Sequence, residues 1–353
     1  MKVAIGLSGG VDSSVAALLL KEQGHEVVGI TMKLWRPGLY KGGDRGSCFG
    51  PGEDANIARA ARLAERIGIP YHVFDCFDAY SQEVLRYFRE TYLAGRTPNP
   101  CVRCNALVKF GLLPRLARES GLAFDAFATG HYARIGRHGE RFTLLRGIDA
   151  SKDQSYFLYR LSQEQLARQL FPLGGLRKDE IRAFARAHGL ESADARDSQD
   201  FYSGDKAELI GEPDRPGDIV DASGRVLSRH TGFWHYTIGQ RKGLCIGGVP
   251  EPYYVTALDA EHNRVIVGTA AETVSTEFSV ADMAYVGLAP DALPPEGLDC
   301  LVKIRSAGAP RGPVRLVDTR CLCPDGIAGI APGQSAVFYS PDGEEVLCGG
   351  IIQ

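Results

Sequence analysis

Apolar and polar positions come in alternating blocks along the first 130 residues, with short β-type runs trading places with helical stretches. Residues 2–7 form a short apolar run, and residues 13–23 set Ala16, Leu19 and Leu20 on one side of a helix. Residues 25–32 and 71–76 read as a second and a third strand, and 125–129 as a fourth. Between them, 54–67 is an Ala/Arg-rich helix and 80–93 is amphipathic. Strands separated by helices predict an α/β fold on a doubly wound parallel sheet. Residues 161–170 and 178–188 read as further helices packed on that layer. Near residue 205 the pattern changes. Gly, Val, Tyr and Pro become frequent, and strand-like runs at 253–258, 264–268 and 336–339 are separated by turn residues. This predicts smaller β-rich domains, including a C-terminal β-barrel. The expected division is an ATP-binding catalytic α/β domain over 1–205, a small central domain over 206–272 and the barrel over 273–353.

Composition narrows the class. The chain is 44% hydrophobic, which suits a folded core, and no apolar run approaches the roughly 20 residues of a membrane helix. A soluble protein is expected. Lys2 follows Met1 directly with no hydrophobic signal region, which predicts no secretory leader. Nine scattered cysteines argue against a disulfide framework and for a reducing cytoplasm. The net charge is -3, but residues 1–200 hold 28 Lys/Arg against 23 Asp/Glu and residues 201–353 hold 12 against 20. So mild an asymmetry neither supports nor excludes an RNA partner.

Gly6-Leu7-Ser8-Gly9-Gly10-Val11-Asp12-Ser13-Ser14 lies between the first strand and the first helix. Its glycines let backbone N–H groups approach an anion, its serines add donors, and the helix N-terminus adds positive partial charge. The Walker A lysine and the G-x-G-x-x-G spacing are both missing, so neither common phosphate motif applies. Asp12 among such groups would repel phosphate unless a divalent cation lies between them, which suggests Mg²⁺. The segment resembles the SGG-x-DSS loop of the N-type ATP pyrophosphatases. That resemblance implies ATP bound by its phosphates, cleavage between the α- and β-phosphates, and adenylation of a substrate oxygen.

Further segments narrow the family. They are Thr31-Met32-Lys33, the loop 95–105, Thr129-Gly130-His131-Tyr132, the run 151–157, His235-Tyr236-Thr237-Ile238-Gly239-Gln240-Arg241-Lys242-Gly243-Leu244 and Pro332-Gly333-Gln334-Ser335. In order and over nearly the whole chain, the series is similar to the bacterial tRNA-specific 2-thiouridylases. The resemblance implies replacement of the C2 oxygen of a wobble uridine by sulfur, with tRNA and a sulfur donor protein or sulfide as partners. By the same resemblance, Gly6, Leu7, Ser8, Gly9, Gly10, Val11, Asp12 and Ser13 hold the phosphates, while Met32 and Gly130 contact the nucleoside of ATP. Asn99, Pro100 and Cys101 would face the target base, and Lys152, Asp153 and Gln154 would contact tRNA. Lys303 and Arg305 match a third contact region imperfectly, within a basic stretch that also holds Arg311, Arg315 and Arg320 against one acid, Asp318. Such a cluster could position RNA by its phosphates or be a solvated strand face. His131 could orient a phosphate or be structural.

The cysteines depart from the family. Its common form has N-P-D-x-x-C and D-S-Q/T-x-I-C-F, each carrying a catalytic cysteine. The first carries over as Cys104, but Cys101 stands in place of the Asp. In Asp197-Ser198-Gln199-Asp200-Phe201-Tyr202-Ser203 the second cysteine is replaced by Tyr202, which can neither carry nor resolve a persulfide. Three readings stay open. In the first, Cys101 and Cys104 share the persulfide work, as C-x-x-C spacing permits. In the second, they ligate a [4Fe–4S] cluster with a third cysteine, Cys48 or in reserve Cys76. Or the activity is lost, leaving an RNA-binding or cluster-sensing protein. A different adenylating ligase of the superfamily, of the argininosuccinate-synthetase kind, would need no cysteine pair.

Overall fold

Val3, Ala4 and Ile5 have no solvent exposure because the first strand, β1 (Lys2–Gly6), runs through the middle of a parallel sheet. The computed structural model describes residues 1–43, 46–191, 200–248 and 251–353. The sheet also contains β2 (Glu26–Lys33), β3 (Tyr71–Asp75) and β4 (Ala126–Ala128). Its edge is a two-residue strand, and the spatial order is β3-β2-β1-β4 followed by that edge. Helix α1 (Val11–Glu22) buries Val15, Ala16, Ala17 and Leu20 against the sheet, and α2 (Glu53–Ile67) packs beside it through Ala60, Leu63 and Ala64. The order turns at β1 and β4. This switch point is where an open α/β sheet forms a crevice at its strand ends.

The expected helix over 161–170 is corrected. Only Gln163–Leu166 is helical, held at its start by a capping box between Ser162 and Gln165. Gln169–Leu170 is the edge strand. The exposed side of β4 needs backbone partners, and it takes them here: the Phe127 N–H donates to the Arg168 carbonyl at 2.8 Å and the Thr129 N–H to the Leu170 carbonyl at 3.2 Å. A hairpin absent from the sequence reading, β5 (Ala133–His138) and β6 (Arg141–Arg146), leaves the parallel sheet altogether.

Residues beyond 205 are β-rich, as the turn-punctuated pattern predicts. Gly217–Val220, Val226–His230, Tyr254–Asp259 and Arg264–Gly268 form a four-stranded sheet. The C-terminal strands, from Val274–Tyr285 to Glu345–Ile352, form an antiparallel barrel that closes when these two strands pair. The hairpin β5–β6 adds to this barrel, with Leu144 opposite Val346 and Leu145 opposite Glu345. Fully buried Leu144 therefore ties the N-terminal half of the chain to the barrel. Among the described residues, no helix is long and apolar enough to cross a membrane.

Candidate active site

The loop after β1 is held by its own serines. Ser13 Oγ accepts the Ser8 N–H at 3.2 Å and lies 3.1 Å from Ser8 Oγ, while Ser14 Oγ donates to the Gly10 carbonyl at 2.8 Å. Gly9 is required twice over: its φ is +72°, and a Cβ there would lie 2.3 Å from the Asn56 carbonyl oxygen of α2. A Cβ on Gly130, just past β4, would come within 2.8 Å of the Asp12–Ser13 backbone, so the two segments touch. Half-buried Met32 lies near the end of β2.

Asp12 is the charged centre of this loop. Lys178 donates to its Oδ1 and Oδ2 at 2.8 and 2.9 Å, and the Tyr132 hydroxyl donates to Oδ1 at 2.7 Å. Asp12 offers the hard carboxylate oxygens that Mg²⁺ takes, and here both of them are engaged by Lys178 and Tyr132. Lys178 was not legible as a site residue, because it lies far along the chain outside the quoted segments, and Tyr132, though it ends the Thr129–Tyr132 segment, carried no expected role there. Only the fold brings them to Asp12.

The cysteine loop is clamped from several elements. Asn99 caps the turn Pro100–Arg103, accepting the Val102 N–H, and its amide donates to the Tyr156 hydroxyl at 3.4 Å. Gln334 of the barrel donates to the Pro98 carbonyl at 2.7 Å and the Thr97 N–H donates to the Pro332 carbonyl at 2.8 Å. Arg103 donates to the Glu83 carbonyl and lies 4.9 Å above the Tyr87 ring. From Cys104 to Leu112 the chain winds as a π-helix. In such a helix residue i+5 stands over residue i, so Lys109 comes near Cys104. Cys101 and Cys104 are both half-buried. Burial, then the nearby Cys48 and Cys104 thiols, push the Cys101 thiol up to about 12. Burial pushes Cys104 up to about 11, opposed by the positive charge of Lys109 and reinforced by Cys48.

Lys109 also faces His131, which burial first and this like charge second hold well below its ordinary pKa. The imidazole is thereby neutral. It bonds Thr129 Oγ1 through Nδ1 at 2.7 Å and lies 5.5 Å from the Phe110 ring. Since His131 follows Gly130, these contacts bring the cysteine loop and the serine loop to one end of the sheet.

Tyr202 lies inside the protein, only 2% exposed. Its hydroxyl donates to Glu208 and accepts the Gly42 N–H at 3.2 Å. Phe49 bridges Tyr202, donates its N–H to the Phe201 carbonyl at 2.9 Å and packs its ring 5.2 Å from Tyr80. These contacts fix the segment carrying exposed Cys48 close enough to influence Cys101 and Cys104. Asp197, Ser198 and Gln199 lie outside the described residues. Among the described residues, no three His, Cys, Asp or Glu side chains gather closely enough to hold a metal ion. Cys48, Cys101 and Cys104 are neighbours without forming a ligand set. Reserve candidate Cys76 is buried.

The expected tRNA contacts divide by burial. Lys152 and Gln154 are half-buried, and Gln154 Oε1 accepts the Tyr132 N–H at 3.0 Å. Asp153 and Lys303 are interior residues that face each other at 3.9 Å, with Arg146 donating to Asp153 at 3.1 Å. Arg305 is exposed, yet its guanidinium bonds the Ile238 and Gly329 carbonyls at 3.2 and 3.1 Å. Two arginines of the basic stretch are paired with acids from neighbouring strands, Arg315 with Asp299 and Arg320 with Glu277.

The chain matches known families along most of its length. Residues 1–202 match the model described as tRNA methyl transferase HUP domain, and 209–269 the one described as tRNA methyl transferase PRC-barrel domain. Residues 275–352 match the aminomethyltransferase beta-barrel domain. The chain is 44% identical over 361 residues to tRNA-specific 2-thiouridylase MnmA of Endomicrobium trichonymphae, covering 100% of this chain and 99% of that protein. With the same enzyme of Nostoc sp. it shares 44% over 366 residues, covering 100% and 98%. Among solved structures, a 4-thiouridine synthetase in complex with RNA and ATP is similar at a TM-score of 0.37 and 18% identity, over 60% of this chain and 46% of that one. NMN synthetase from Francisella tularensis gives 0.34 and 17%, over 59% and 67%.

Proposed function

The chain belongs to the tRNA-specific 2-thiouridylase family, and on that premise we propose that it thiolates the wobble uridine of tRNA through Cys101 and Cys104. It is an ATP-dependent tRNA sulfurtransferase. The uridine C2 oxygen is a poor leaving group, so it first attacks the α-phosphorus of ATP and pyrophosphate departs. A sulfur nucleophile then attacks C2, and AMP leaves with the oxygen.

In this reading the amides and hydroxyls from Gly6 to Ser13 bind the phosphates, with Met32 and Gly130 at the nucleoside. Asp12 would hold Mg²⁺, which would supply positive charge against the phosphates. Cys104 carries a persulfide sulfur taken from the persulfide of a donor protein, whose S–S bond breaks and leaves the donor thiol. Its terminal sulfur bonds C2, then the Cys101 thiolate attacks the Cys104 sulfur. A disulfide forms as the thiocarbonyl is released: the transferred sulfur is reduced, both cysteines are oxidised, and a cellular thiol must reduce them for the next turnover. Asn99 and Pro100 would flank the flipped base, and Lys152, Gln154 and Arg305 would touch the tRNA. No step is assigned to an iron–sulfur cluster, because the three thiols do not stand as a ligand set. The cytoplasm is the compartment we assign.

The observation that carries this reading is the position of Lys109, which faces Cys104 and also His131 beside the Gly130–Asp12 contact. This supports reading the thiol and the phosphate loop as parts of one site. Purified protein with ATP, Mg²⁺, polysulfide as the sulfane-sulfur donor, a thiol reductant and unmodified tRNA should make 2-thiouridine, and Cys104→Ala should make none. Failure of the wild-type protein to make thiouridine would refute the reading. Iron and acid-labile sulfide in anaerobically purified protein, lost on Cys48→Ala, would replace the persulfide route with the cluster route.

A further inference from the structure

Cys48 is exposed, but the residues on either side of it are pinned. Ser47 Oγ lies 3.3 Å from Ser203 Oγ and donates to the Phe49 carbonyl at 2.9 Å. The Phe49 N–H donates to the Phe201 carbonyl at 2.9 Å, and Phe49 pairs with Tyr202. Ser47 and Phe49 are both buried. Two buried anchors therefore present one thiol to solvent over the segment 201–203.

Tyr80 connects this thiol with the other pair. Its ring packs 5.2 Å from the Phe49 ring. The helix Phe77–Tyr80 packs against the π-winding Cys104–Leu112, and the next turn, Ser81–Leu85, packs against Pro100–Arg103. Tyr80 is only 1% exposed. Burial first, then the Cys104, Cys48 and Cys101 thiols, hold its hydroxyl well above its ordinary pKa. Among the described residues that hydroxyl has no hydrogen-bond partner. A buried donor left open beside three sulfurs suits one more sulfur, whose anionic form would accept its hydrogen bond.

The three thiols differ in access. Cys101 and Cys104 are half-buried in a loop clamped by Asn99, Gln334 and Arg103, and so offer a bulky protein donor poor approach. Exchange at sulfur depends on such access. We propose that Cys48 is the sulfur-entry residue: it takes the sulfane sulfur from a donor protein's persulfide and passes it inward to Cys104. The Cys48 thiolate attacks the outer sulfur of that persulfide, whose S–S bond breaks as the donor thiol leaves. The Cys104 thiolate then attacks the terminal sulfur of the Cys48 persulfide, and Cys48 returns to a thiol. Each step breaks one S–S bond as it forms another, so no outside oxidant or reductant is consumed. The inference rests on the persulfide reading of Cys104.

Sulfur loading of the full-length protein without ATP or tRNA, read by alkylation and non-reducing peptide mapping, tests it. The probes are a cysteine desulfurase charged with ³⁵S-labelled cysteine, and ³⁵S-labelled polysulfide. From the desulfurase, wild-type protein should carry label on Cys104, and Cys104→Ala should accumulate it on Cys48. In Cys48→Ser, transfer from the desulfurase to Cys104 should fall roughly tenfold or more. Polysulfide, small enough to reach a half-buried thiol, should still load Cys104 in that variant within about twofold of wild type. Cys48→Ala should behave alike, and melting temperatures guard against misfolding. Undiminished transfer from the desulfurase in Cys48→Ser would overturn the proposal. Equal loss from both donors would also overturn it and make Cys48 a structural residue or a cluster ligand. So would wild-type protein that polysulfide loads and the desulfurase does not. Failure of polysulfide to place sulfur on Cys104 of the wild type would instead refute the persulfide reading, and this inference with it.

Discussion

Lys109 stands five residues after Cys104, a spacing that an α-helix of 3.6 residues per turn would send to another face. The π-winding of Cys104–Leu112 returns it to the thiol. Burial still dominates, so Cys104 is protonated at neutral pH and its reactivity is set by the small thiolate fraction. In protein carrying Cys48→Ser and Cys101→Ser, iodoacetamide labelling of Cys104 should rise about tenfold per pH unit through pH 8 to 10. A plateau near the free-thiol value of about 8.5 would contradict this. Lys109→Met removes the charge that favours the thiolate, so it should raise the thiol pKa further and slow labelling at every pH below it. Tyr202 makes a different case. Its hydroxyl bonds Glu208, and Tyr202→Phe should cost about 1 kcal/mol in denaturant unfolding while thiolation persists. The missing cysteine was legible in the sequence. That its replacement is an interior latch on the segment bearing Cys48 was not, because the hydrogen bonds join positions 160 residues apart.

At the scale of elements, regular periodicity was read well and exceptions were set by backbone pairing. Strand and helix patterns at 2–7, 54–67 and 178–188 correspond to Lys2–Gly6, Glu53–Ile67 and Lys178–Ala187. Gln169–Leu170 looked helical because it continues an apolar spacing, yet the open edge of β4 claims it. The run 151–157 shows the same limit. By resemblance Asp153 would contact tRNA, but in the fold it receives Arg146, Ser155 and the Gly147 N–H and lies beside Lys303. Asp153→Asn leaves two largely buried cations without their counter-charge and should destabilise the protein by about 3–5 kcal/mol. The double variant Asp153→Asn/Lys303→Met should recover part of that loss in thermal melts. Equal melting of the single variant and wild type would contradict the burial of this pair.

On the scale of the whole molecule, the barrel belongs to the catalytic half's architecture. Hairpin β5–β6 pairs with Glu345–Ile352, and Gln334 bonds the base of the cysteine loop. A fragment of residues 1–205 would expose the β6 edge and remove the partners of Thr97 and Pro98. It should aggregate or melt far below the full chain, as circular dichroism would record. A soluble fragment with native stability would show that the barrel is dispensable for folding.

Local chemistry explains what the sequence determined alone: the strand–loop–helix phosphate motif, the α/β then β-rich succession, the family, and the unusual C-x-x-C pair. Each depends on neighbours within about ten residues, or on the order of such segments, and both survive in one dimension. Tertiary structure decided the rest. It joined Lys178 and Tyr132 to Asp12, brought Lys109 to both Cys104 and His131, and paired Arg315 and Arg320 with acids on adjacent strands. Those pairings are electrostatic contacts across a folded interior. Which charges meet there is fixed by how sheets and helices pack, and sequence distance carries no record of it.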